Sequence, residues 1–418
     1  MKDNGPIPPG FVAGDHGRLL IGDYDVEALV AEAGGTPLFV YDASRIGQRI
    51  AEFRFALPDG VALHYAVKAN PYGPLLTFMA RYVDGFDIAS IGEFELLHSL
   101  DFEDLPMTFA GPGKRDAELE RAIEAEVTIN LESEGEAGRA LAIADRLGIT
   151  PKLAVRVNPP FALKGAGMKM AGAAAPFGVD EDRAAGLVRT LIAAGADWRG
   201  LHIYAGSQAL HAPALIEAQR ETVALAARIA DAIGDAPAEI NLGGGFGIPY
   251  FPGDAPLDVM AVGAELSETL QNVPDVLALT RFSIELGRWL VGEAGVYLTR
   301  IVDRKSSNGR NFLIVDGGLH HMLAASGNFG QLLRRNYPVA IASHFAAPLV
   351  EEATIAGSLC TPLDLLADEI AVPSAAVGDM VAIFCAGAYG LSASPQAFLT
   401  QPSAQEMLVN HDLDGVPA

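Results

Sequence analysis

Cysteine is almost absent from this sequence of 418 residues, which contains only Cys360 and Cys385. Two cysteines are too few for a disulfide-stapled fold, so the sequence predicts a chain that folds in a reducing compartment. No run approaches the roughly 18 uninterrupted apolar residues of a membrane span, and the amino terminus lacks the basic start and apolar core of a signal peptide. We therefore expect a cytoplasmic protein that has no membrane partner.

Basic residues are also scarce, because 29 Lys and Arg stand against 52 Asp and Glu and the formal net charge is −23. Such a charge repels the phosphates of nucleic acids and anionic membranes, so nucleic acid is not expected as a partner. A small anion can still bind where local amides and an arginine outweigh a distant field that salt screens. With 50% hydrophobic and 19% charged residues, the composition is typical of a folded protein of enzyme size.

Eight short apolar runs alternate with helical patterns from Val61 onward. They read VALHYAV, GFDIA, MTFAG, VTINL, KLAVRV, LHIYAG, EINLGG and FSIEL. Eight successive strand–helix units favour an α/β fold with a (β/α)8 TIM-type barrel, although a doubly wound open sheet has the same periodicity. After Arg288 the sequence is rich in patterns that are typical of β-strands. We therefore predict an N-terminal segment over 1–40 that joins a β domain, a barrel over 41–288 and a C-terminal all-β domain over 289–418.

The residues that end the strands are informative, because the active site of such a barrel lies at the carboxyl ends of its strands. Lys68 ends the first predicted strand, Asp87 the second and Glu285 the eighth, and Ser207 follows the sixth. A lysine at a strand end usually faces solvent, but it can also attack a carbonyl carbon and form a Schiff base. Glu285 ends an apolar strand and needs a cationic partner, either a neighbouring Lys or Arg or a protonated heterocyclic nitrogen.

Three glycines, Gly243, Gly244 and Gly245, follow the seventh predicted strand. Glycine lets backbone amides approach a phosphate, although a tight turn explains a glycine triplet at least as often. The position favours phosphate, since barrels commonly bind phosphate at the loops after strands seven and eight, and Arg288 supplies a nearby cation. A lysine for an aldehyde, a carboxylate for a pyridinium and a cradle for a phosphate together predict pyridoxal 5'-phosphate as the cofactor.

Six motifs carry a family resemblance: YAVKANP, GSQ, GGGFG, E-x-GR, LCTPLD and GAYG. Over about residues 35–410 the sequence resembles the pyridoxal-phosphate-dependent decarboxylases of the diaminopimelate and ornithine decarboxylase family. The resemblance implies an alanine-racemase-type barrel, a C-terminal β domain and a homodimer with shared active sites. It also implies that Lys68 is the Schiff-base lysine, that Glu285 contacts the pyridinium nitrogen, and that Cys360 is a catalytic cysteine that reaches the site of the partner subunit.

The resemblance extends to further residues around the cofactor. Those implied to surround the phosphate are Ser207, Gly245, Gly287, Arg288 and Tyr389. Together with Asp87, Gly243 and Gly244 they form the predicted cofactor site. Tyr204 belongs to it as well, because it stands where the family usually has a histidine stacked on the cofactor, and a tyrosine also stacks.

Three departures from the family pattern concern the substrate. Thr361 stands where diaminopimelate decarboxylases have a glutamate that holds the distal amino group, and Ala324 and Asn328 stand where they have an arginine and a tyrosine. The sequence is more similar to a subgroup associated with exosortase systems and to decarboxylases of aminoacyl groups on carrier proteins. The expected activity is decarboxylation of an amino acid or of an acylated or carrier-tethered derivative, with diaminopimelate itself as the alternative.

Two other functions remain open on the same fold, and Glu285 and Cys360 bear on them. An amino-acid racemase typically places an arginine at the pyridine nitrogen, so Glu285 argues against it. A non-catalytic cofactor-binding protein is disfavoured by the C-terminal domain and by Cys360. His320 and His321 are adjacent but lack further ligands in the sequence, so no metal site is predicted.

Overall fold

The computed structural model describes residues 2–102, 104–165, 167–169, 171–172, 174–329, 331 and 333–411. These residues group into two compact units. The barrel unit is drawn from Ile50–Gly247 and Pro256–Gly287, and the β unit from Met1–Arg49, Ile248–Ala255 and Arg288–Pro417. Met1 of the predicted N-terminal segment and residues 412–418 of the predicted C-terminal domain lie outside the described residues.

The barrel unit contains a closed ring of eight parallel strands. They are β1 Val61–Ala66, β2 Gly85–Ile88, β3 Met107–Phe109, β4 Thr128–Leu131, β5 Lys152–Asn158, β6 Asp197–Ile203, β7 Glu239–Asn241 and β8 Arg281–Leu286. Each strand pairs with the next, and β8 pairs with β1 in a register that sets Glu285 opposite His64, which closes the ring. The eight apolar runs are the eight barrel strands, so the predicted (β/α)8 barrel is confirmed.

Helices follow the first seven strands. They are α1 Gly73–Met79, α2 Ile91–His98, α3 Asp116–Glu124, α4 Glu134–Leu147, α5 Glu181–Ala193, α6 Ala212–Ile233 and α7 Val259–Gln271. Local sequence sets their ends: Ser133 caps α4 by accepting from the backbone N–H of Glu136, and Gly148 ends it with a φ of 68°. The unit also has 3-10 turns at Val67–Ala69 and Asp275–Leu277, and short strands at Met168–Lys169, Val179–Asp180 and Gly206–Ser207.

The β unit is built on the 13-residue strand Gly295–Ser307. The first half of this strand pairs antiparallel with Leu38–Asp42 and Met380–Phe384, and the second half pairs with Arg310–Val315. The other strands of this mixed sheet are Val339–Ile341, Glu351–Ala356, Leu365–Val372 and Gln405–Val409. The predicted β domain is therefore confirmed as a mixed sheet.

Alternation along these strands builds the core of the β unit. Leu38 and Val40 face inward with Val296 and Leu298, because every second side chain of a strand lies on the same face. A small sheet of Val12–Ala13, Leu19–Ile21 and Tyr24–Asp25 and the helix Val26–Ala33 pack beside them, and the remaining helical segments are Ala43–Ala56, Arg288–Val291, Gly292–Ala294, Leu323–Ser326, Ala342–His344, Leu391–Ala393 and Phe398–Thr400. Among the described residues, no helix has the length and apolarity that crossing a bilayer requires.

Candidate active site

The predicted lysine lies directly after β1, in the 3-10 turn Val67–Ala69. Lys68 Nζ lies 3.3 Å from Oδ2 of Asp87, whose side chain is fully buried near the end of β2, whereas the Lys68 side chain is 39% exposed. The other oxygen of Asp87 accepts a 3.2 Å hydrogen bond from Thr108 Oγ1 on β3. Burial, together with the negative charge of Glu285, raises the pKa of the Asp87 carboxyl, although the Lys68 ammonium opposes this shift.

Glu285, the predicted partner of the pyridinium nitrogen, is buried on β8, and only one of its carboxylate oxygens, Oε2, has hydrogen-bond partners among the described residues. His202 Nε2 on β6 lies 3.1 Å from Glu285 Oε2, and Asn241 Nδ2 on β7 donates to the same oxygen over 3.3 Å. Burial alone would raise the pKa of the Glu285 carboxyl, but the charge and hydrogen bond of His202 outweigh it and lower that pKa to about 2. The carboxyl group is therefore an anion, and its Oε1 accepts no hydrogen bond from a described residue.

The glycine loop after β7 is tied to the same group of residues. Asn241 Oδ1 accepts a 2.7 Å hydrogen bond from the backbone N–H of Gly243, which has a φ of 70°. At Gly244, a Cβ atom would lie 1.9 Å from the carbonyl oxygen of Glu285, so no other residue fits there. The ring of Tyr204 lies against the loop, since a Cβ at Gly243 would come within 3.0 Å of Tyr204 Cδ2.

The structure places the remaining predicted barrel residues beside this loop and beside Lys68. A Cβ at Gly245 would lie 2.4 Å from the carbonyl oxygen of Gly206, the neighbour of Ser207. A Cβ at Gly287 would lie 2.7 Å from the Cβ of Ala69, the residue after Lys68. Every predicted site residue of the barrel unit therefore lies at the carboxyl ends of the strands.

Arg288 and Tyr389 lie together in the β unit. The guanidinium carbon of Arg288 lies 4.7 Å from the centre of the Tyr389 ring, and Arg288 Nη1 donates a 2.9 Å hydrogen bond to the hydroxyl of Tyr250. Burial raises the pKa of Tyr250 to about 12, so its hydroxyl stays neutral and does not neutralise the guanidinium. Within the described part of the chain, the solvent-shielded Nε of Arg288 has no hydrogen-bond partner, and no carboxylate pairs with this side chain.

Cys360 is exposed on a loop of the β unit. The buried Asp364 fixes this loop. Its carboxylate accepts hydrogen bonds from the backbone N–H groups of Leu319 and Leu359 over 2.7 and 2.8 Å. Cys360 belongs to the β unit, whereas Lys68 belongs to the barrel unit. Its predicted catalytic role therefore stays a prediction.

The three departures from the family pattern also lie in the β unit, and none of them carries a charge. Thr361 is partly exposed and Ala324 is buried. Asn328 donates its amide to Ser326 Oγ over 2.8 Å. These three side chains therefore offer no charge to a substrate.

The adjacent histidines His320 and His321 have different hydrogen-bonding surroundings. His321 binds the Tyr297 hydroxyl through Nδ1 over 3.1 Å and the carbonyl oxygen of Pro402 through Nε2 over 2.8 Å. His320 is buried, and neither of its ring nitrogens has a partner among the described residues. In the described ranges, no group of three or more His, Cys, Asp or Glu side chains could hold a metal ion.

Four contact residues were missed by sequence reasoning: Thr108, His202, Asn241 and Tyr250. A signal existed for two of them. His202 and Asn241 stand two residues before Tyr204 and Gly243, and alternation along a strand turns residues two apart to the same face. No comparable pattern marked Thr108 or Tyr250.

Pyridoxal phosphate needs a cationic partner for its phosphate group and an anionic partner for its protonated ring nitrogen, and the structure offers both. A buried charge is costly unless it is paired, and the Arg288 guanidinium has no anionic partner among the described residues, so a phosphate group would satisfy it. Glu285 is an ionised carboxyl group with Oε1 available to a cationic ring nitrogen. The residues present therefore fit this cofactor.

Comparison with known proteins agrees with this chemistry. Residues 43–292 match the family described as "Pyridoxal-dependent decarboxylase, pyridoxal binding domain". The L-glutamyl-(BtrI acyl-carrier protein) decarboxylase of Niallia circulans is 36% identical over 381 residues, which cover 89% of this chain and 88% of that protein. The diaminopimelate decarboxylase of Methanothermobacter thermautotrophicus is 31% identical over 412 residues, which cover 96% of this chain and 92% of that protein.

A solved structure shows the same fold. The diaminopimelate decarboxylase from M. jannaschii, in a complex with L-lysine, superposes with a TM-score of 0.84 at 25% sequence identity. The superposition covers 96% of this chain and 92% of that one. The similarity thus includes both the barrel and the mixed β sheet.

Proposed function

Because this chain belongs to the pyridoxal-dependent decarboxylases and is a pyridoxal-phosphate-dependent carboxy-lyase, we propose that it removes the α-carboxylate of an amino acid whose distal end is acylated or tethered to a carrier protein. The observation that carries this proposal is the uncharged set of Thr361, Ala324 and Asn328. A free diamino acid such as diaminopimelate exposes a second ammonium and a second carboxylate, which need charged partners. An acylated distal end needs none.

The relatives support the proposal in the same direction. The N. circulans protein, named for an L-glutamyl group on an acyl-carrier protein, is 36% identical to this chain, and the M. thermautotrophicus diaminopimelate decarboxylase is 31% identical. Diaminopimelate is the second candidate substrate. Both candidate substrates would lose carbon dioxide by the same chemistry, so they differ only in how the enzyme recognises the distal group of the substrate.

When bound, pyridoxal phosphate supplies an electron sink for the carbanion left by loss of carbon dioxide. Lys68 Nζ would hold the cofactor covalently, and Asp87 would orient that amine. Glu285 Oε1 would keep a proton at the ring nitrogen, because His202 and Asn241 hold the carboxyl group as an anion through its other oxygen.

Other residues would hold the rest of the cofactor. The amides of Gly243, Gly244 and Gly245 with Ser207, Gly287, Arg288 and Tyr389 would bind the phosphate, and Tyr204 would stack on the ring. The orphaned Nε of Arg288 supports this assignment for the arginine.

Cys360 would deliver a proton from Sγ to the product carbon. We place it in the site of a partner subunit, so that the working enzyme is a homodimer with two shared sites. The exposed thiol on a loop held by Asp364 supports this role, because it is accessible while its backbone is fixed. The cytoplasmic location stays a prediction.

Carbon dioxide release from a matched substrate panel tests the proposed substrate class. The panel contains meso-diaminopimelate, free L-glutamate, a diamino acid that is acylated on its distal nitrogen, and an L-glutamyl group on an acyl-carrier protein. Lys68→Ala is the inactive control. We expect kcat/KM for an acylated or carrier-linked compound to exceed that for either free amino acid by about a hundredfold or more. A higher kcat/KM for meso-diaminopimelate would overturn the proposed substrate class and leave the decarboxylase assignment intact.

A further inference from the structure

A cavity of about 710 Å³ lies inside the barrel unit. Its lining includes residues at the beginnings of the strands, such as Lys152 and Arg281. Deeper in the barrel, the small side chains of Ala62 and Ala154 line it. Because parallel strands all begin at one mouth of a barrel, this cavity opens at the mouth opposite to Lys68.

The cavity reaches the supporting residues of the candidate active site. Its lining includes Thr108 and Asn241, which donate hydrogen bonds to Asp87 and Glu285. From Thr108 the contacts continue toward the lysine: Thr108 Oγ1 lies 3.2 Å from Asp87 Oδ1, and Asp87 Oδ2 lies 3.3 Å from Lys68 Nζ. A hydroxyl, a carboxyl and an amine thus form a continuous row from the cavity to the lysine.

We propose that Thr108 and Asp87 form a proton inlet that connects water in this cavity with the amine of Lys68. A water molecule in the cavity transfers a proton to Thr108 Oγ as the threonine passes its own proton to Asp87 Oδ1. The carboxyl group of Asp87 then turns about its Cβ–Cγ bond, which carries this proton to the side of Lys68, and releases it to Lys68 Nζ, so that Asp87 is an anion again. The cavity water is left as hydroxide, which takes a proton from solvent, and the reverse sequence returns a proton from the amine.

Each member of the row is suited to its part. A polar cavity of this size retains water, and Asn130 and Thr128 are among its lining residues. A threonine hydroxyl donates and accepts at the same time. The charged groups that act on Asp87 are Glu285, Lys68 and His202, and burial with the Glu285 charge raises the Asp87 pKa, which brings its protonated form within reach.

The inlet would let protons reach Lys68 while cofactor and substrate occupy the other side of the site. Bound cofactor and substrate would cover the exposed part of the Lys68 side chain and exclude water from it. The row through Thr108 approaches from the opposite mouth of the barrel and stays open at that stage. This inference rests on Lys68 as the cofactor lysine in the proposed function, but it does not depend on the substrate.

The test uses the holoenzyme after borohydride reduction, which fixes the cofactor to its lysine and keeps the substrate side covered. Fluorescence of the pyridoxyl group is followed after a rapid pH jump, so that the rate of proton equilibration is measured without turnover. The variants are Thr108→Val, which has no hydroxyl and leaves no space for water, and Thr108→Ser, which restores the hydroxyl. Thr128→Val is the matched control, because it removes another hydroxyl from the same cavity.

We expect Thr108→Val to slow the relaxation by about tenfold or more, and Thr108→Ser and Thr128→Val to stay within about twofold of the wild type. A wild-type rate in Thr108→Val, or equal slowing in Thr128→Val, would overturn the inlet. If Thr108→Val does not bind cofactor, the variant Ala154→Leu is measured instead, because it narrows the cavity and keeps Thr108. A slower fluorescence relaxation in Ala154→Leu supports the inlet, and an unchanged relaxation rate contradicts it.

Peptide mapping of the same reduced samples separates the two levels of the account. A pyridoxyl label on a lysine other than Lys68 contradicts the proposed cofactor lysine and the end point of the inlet together. A label on Lys68 with an unchanged relaxation rate in Thr108→Val contradicts the inlet alone.

Discussion

His202 Nε2 lies 3.1 Å from Glu285 Oε2 in the interior of the barrel. The carboxylate can only accept, so His202 donates through Nε2–H. Asn241 donates to the same oxygen, and its amide orientation is fixed because its Oδ1 accepts from Gly243. Two buried donors therefore hold Glu285 as an anion through one oxygen, and the other oxygen is the one that we propose for the ring nitrogen of the cofactor.

Glu285→Gln is expected to keep the cofactor and to lose turnover. A neutral amide cannot hold the ring nitrogen protonated, so kcat should fall on the order of a hundredfold or more. The measurement is carbon dioxide release, with bound cofactor determined from absorbance. Glu239→Gln is the matched control, because Glu239 lies on the neighbouring strand β7, where it accepts a hydrogen bond from Ser283. Turnover in Glu285→Gln equal to that of the control would move the electrostatic role to another residue.

Arg288→Leu is expected to weaken cofactor binding by about tenfold to a hundredfold, because it would remove the charge-assisted hydrogen bonds that we propose between this arginine and the phosphate. Tyr250→Phe removes only the neutral hydroxyl partner of the arginine and should have a smaller effect. Titration of the apoenzyme with pyridoxal phosphate in a phosphate-free buffer measures both dissociation constants. Equal affinities of wild type and Arg288→Leu would exclude Arg288 from the phosphate site.

Glu93→Gln should change stability in a pH-dependent way. Burial, with a further contribution from the charge of Asp87, raises the pKa of the Glu93 carboxyl from 4.5 to about 7. Since the folded state binds this proton more tightly than the unfolded state, Glu93 destabilises the fold increasingly as pH rises from about 4.5 to about 7. Glutamine can replace it as the acceptor for the backbone N–H of Ala89.

Urea unfolding of the apoprotein at pH 5 and pH 8 measures this effect. The difference in unfolding free energy, variant minus wild type, should become more positive at the higher pH, by at most about 3 kcal/mol. A difference that is the same at both pH values would contradict the raised pKa.

The barrel could be predicted because each strand carries its own apolar run, so a local pattern suffices. Lys68 and Glu285 could be found because polar residues at the ends of apolar strands stand out. Their supporting contacts depend on which strands become neighbours: His202 is 83 residues from Glu285, and Thr108 is 21 residues from Asp87. The sequence carried a signal for only two supporting residues, through the two-residue spacing of His202 before Tyr204 and of Asn241 before Gly243.

Tyr250 shows a different limit. It lies in Ile248–Ala255, which groups with the β unit although it falls between two barrel strands. Its hydrogen bond to Arg288, 38 residues away, follows from that long-range grouping. Strand counting cannot reveal such a segment, because its position depends on contacts made by other parts of the chain.

Mixing Lys68→Ala with Cys360→Ala is expected to restore activity that neither variant has alone. If each site takes its lysine from one subunit and its cysteine from the other, random reassortment yields heterodimers with one complete site. At equal mixing, half of the dimers are heterodimers with one good site of two, so about a quarter of wild-type activity is the upper expectation. Each variant alone, taken through the same dissociation and reassembly, is the control. Verified subunit exchange without recovery would exclude the shared site.

The most direct test of the account is to identify the lysine that carries the cofactor. Purified protein is treated with borohydride and digested, and the pyridoxyl label is located by mass spectrometry, with Lys68→Ala treated in parallel. We predict the label on Lys68 in the wild type, and neither a label nor a reducible visible absorbance band in Lys68→Ala. A label on any other lysine, or an unchanged reducible linkage in Lys68→Ala, would contradict it.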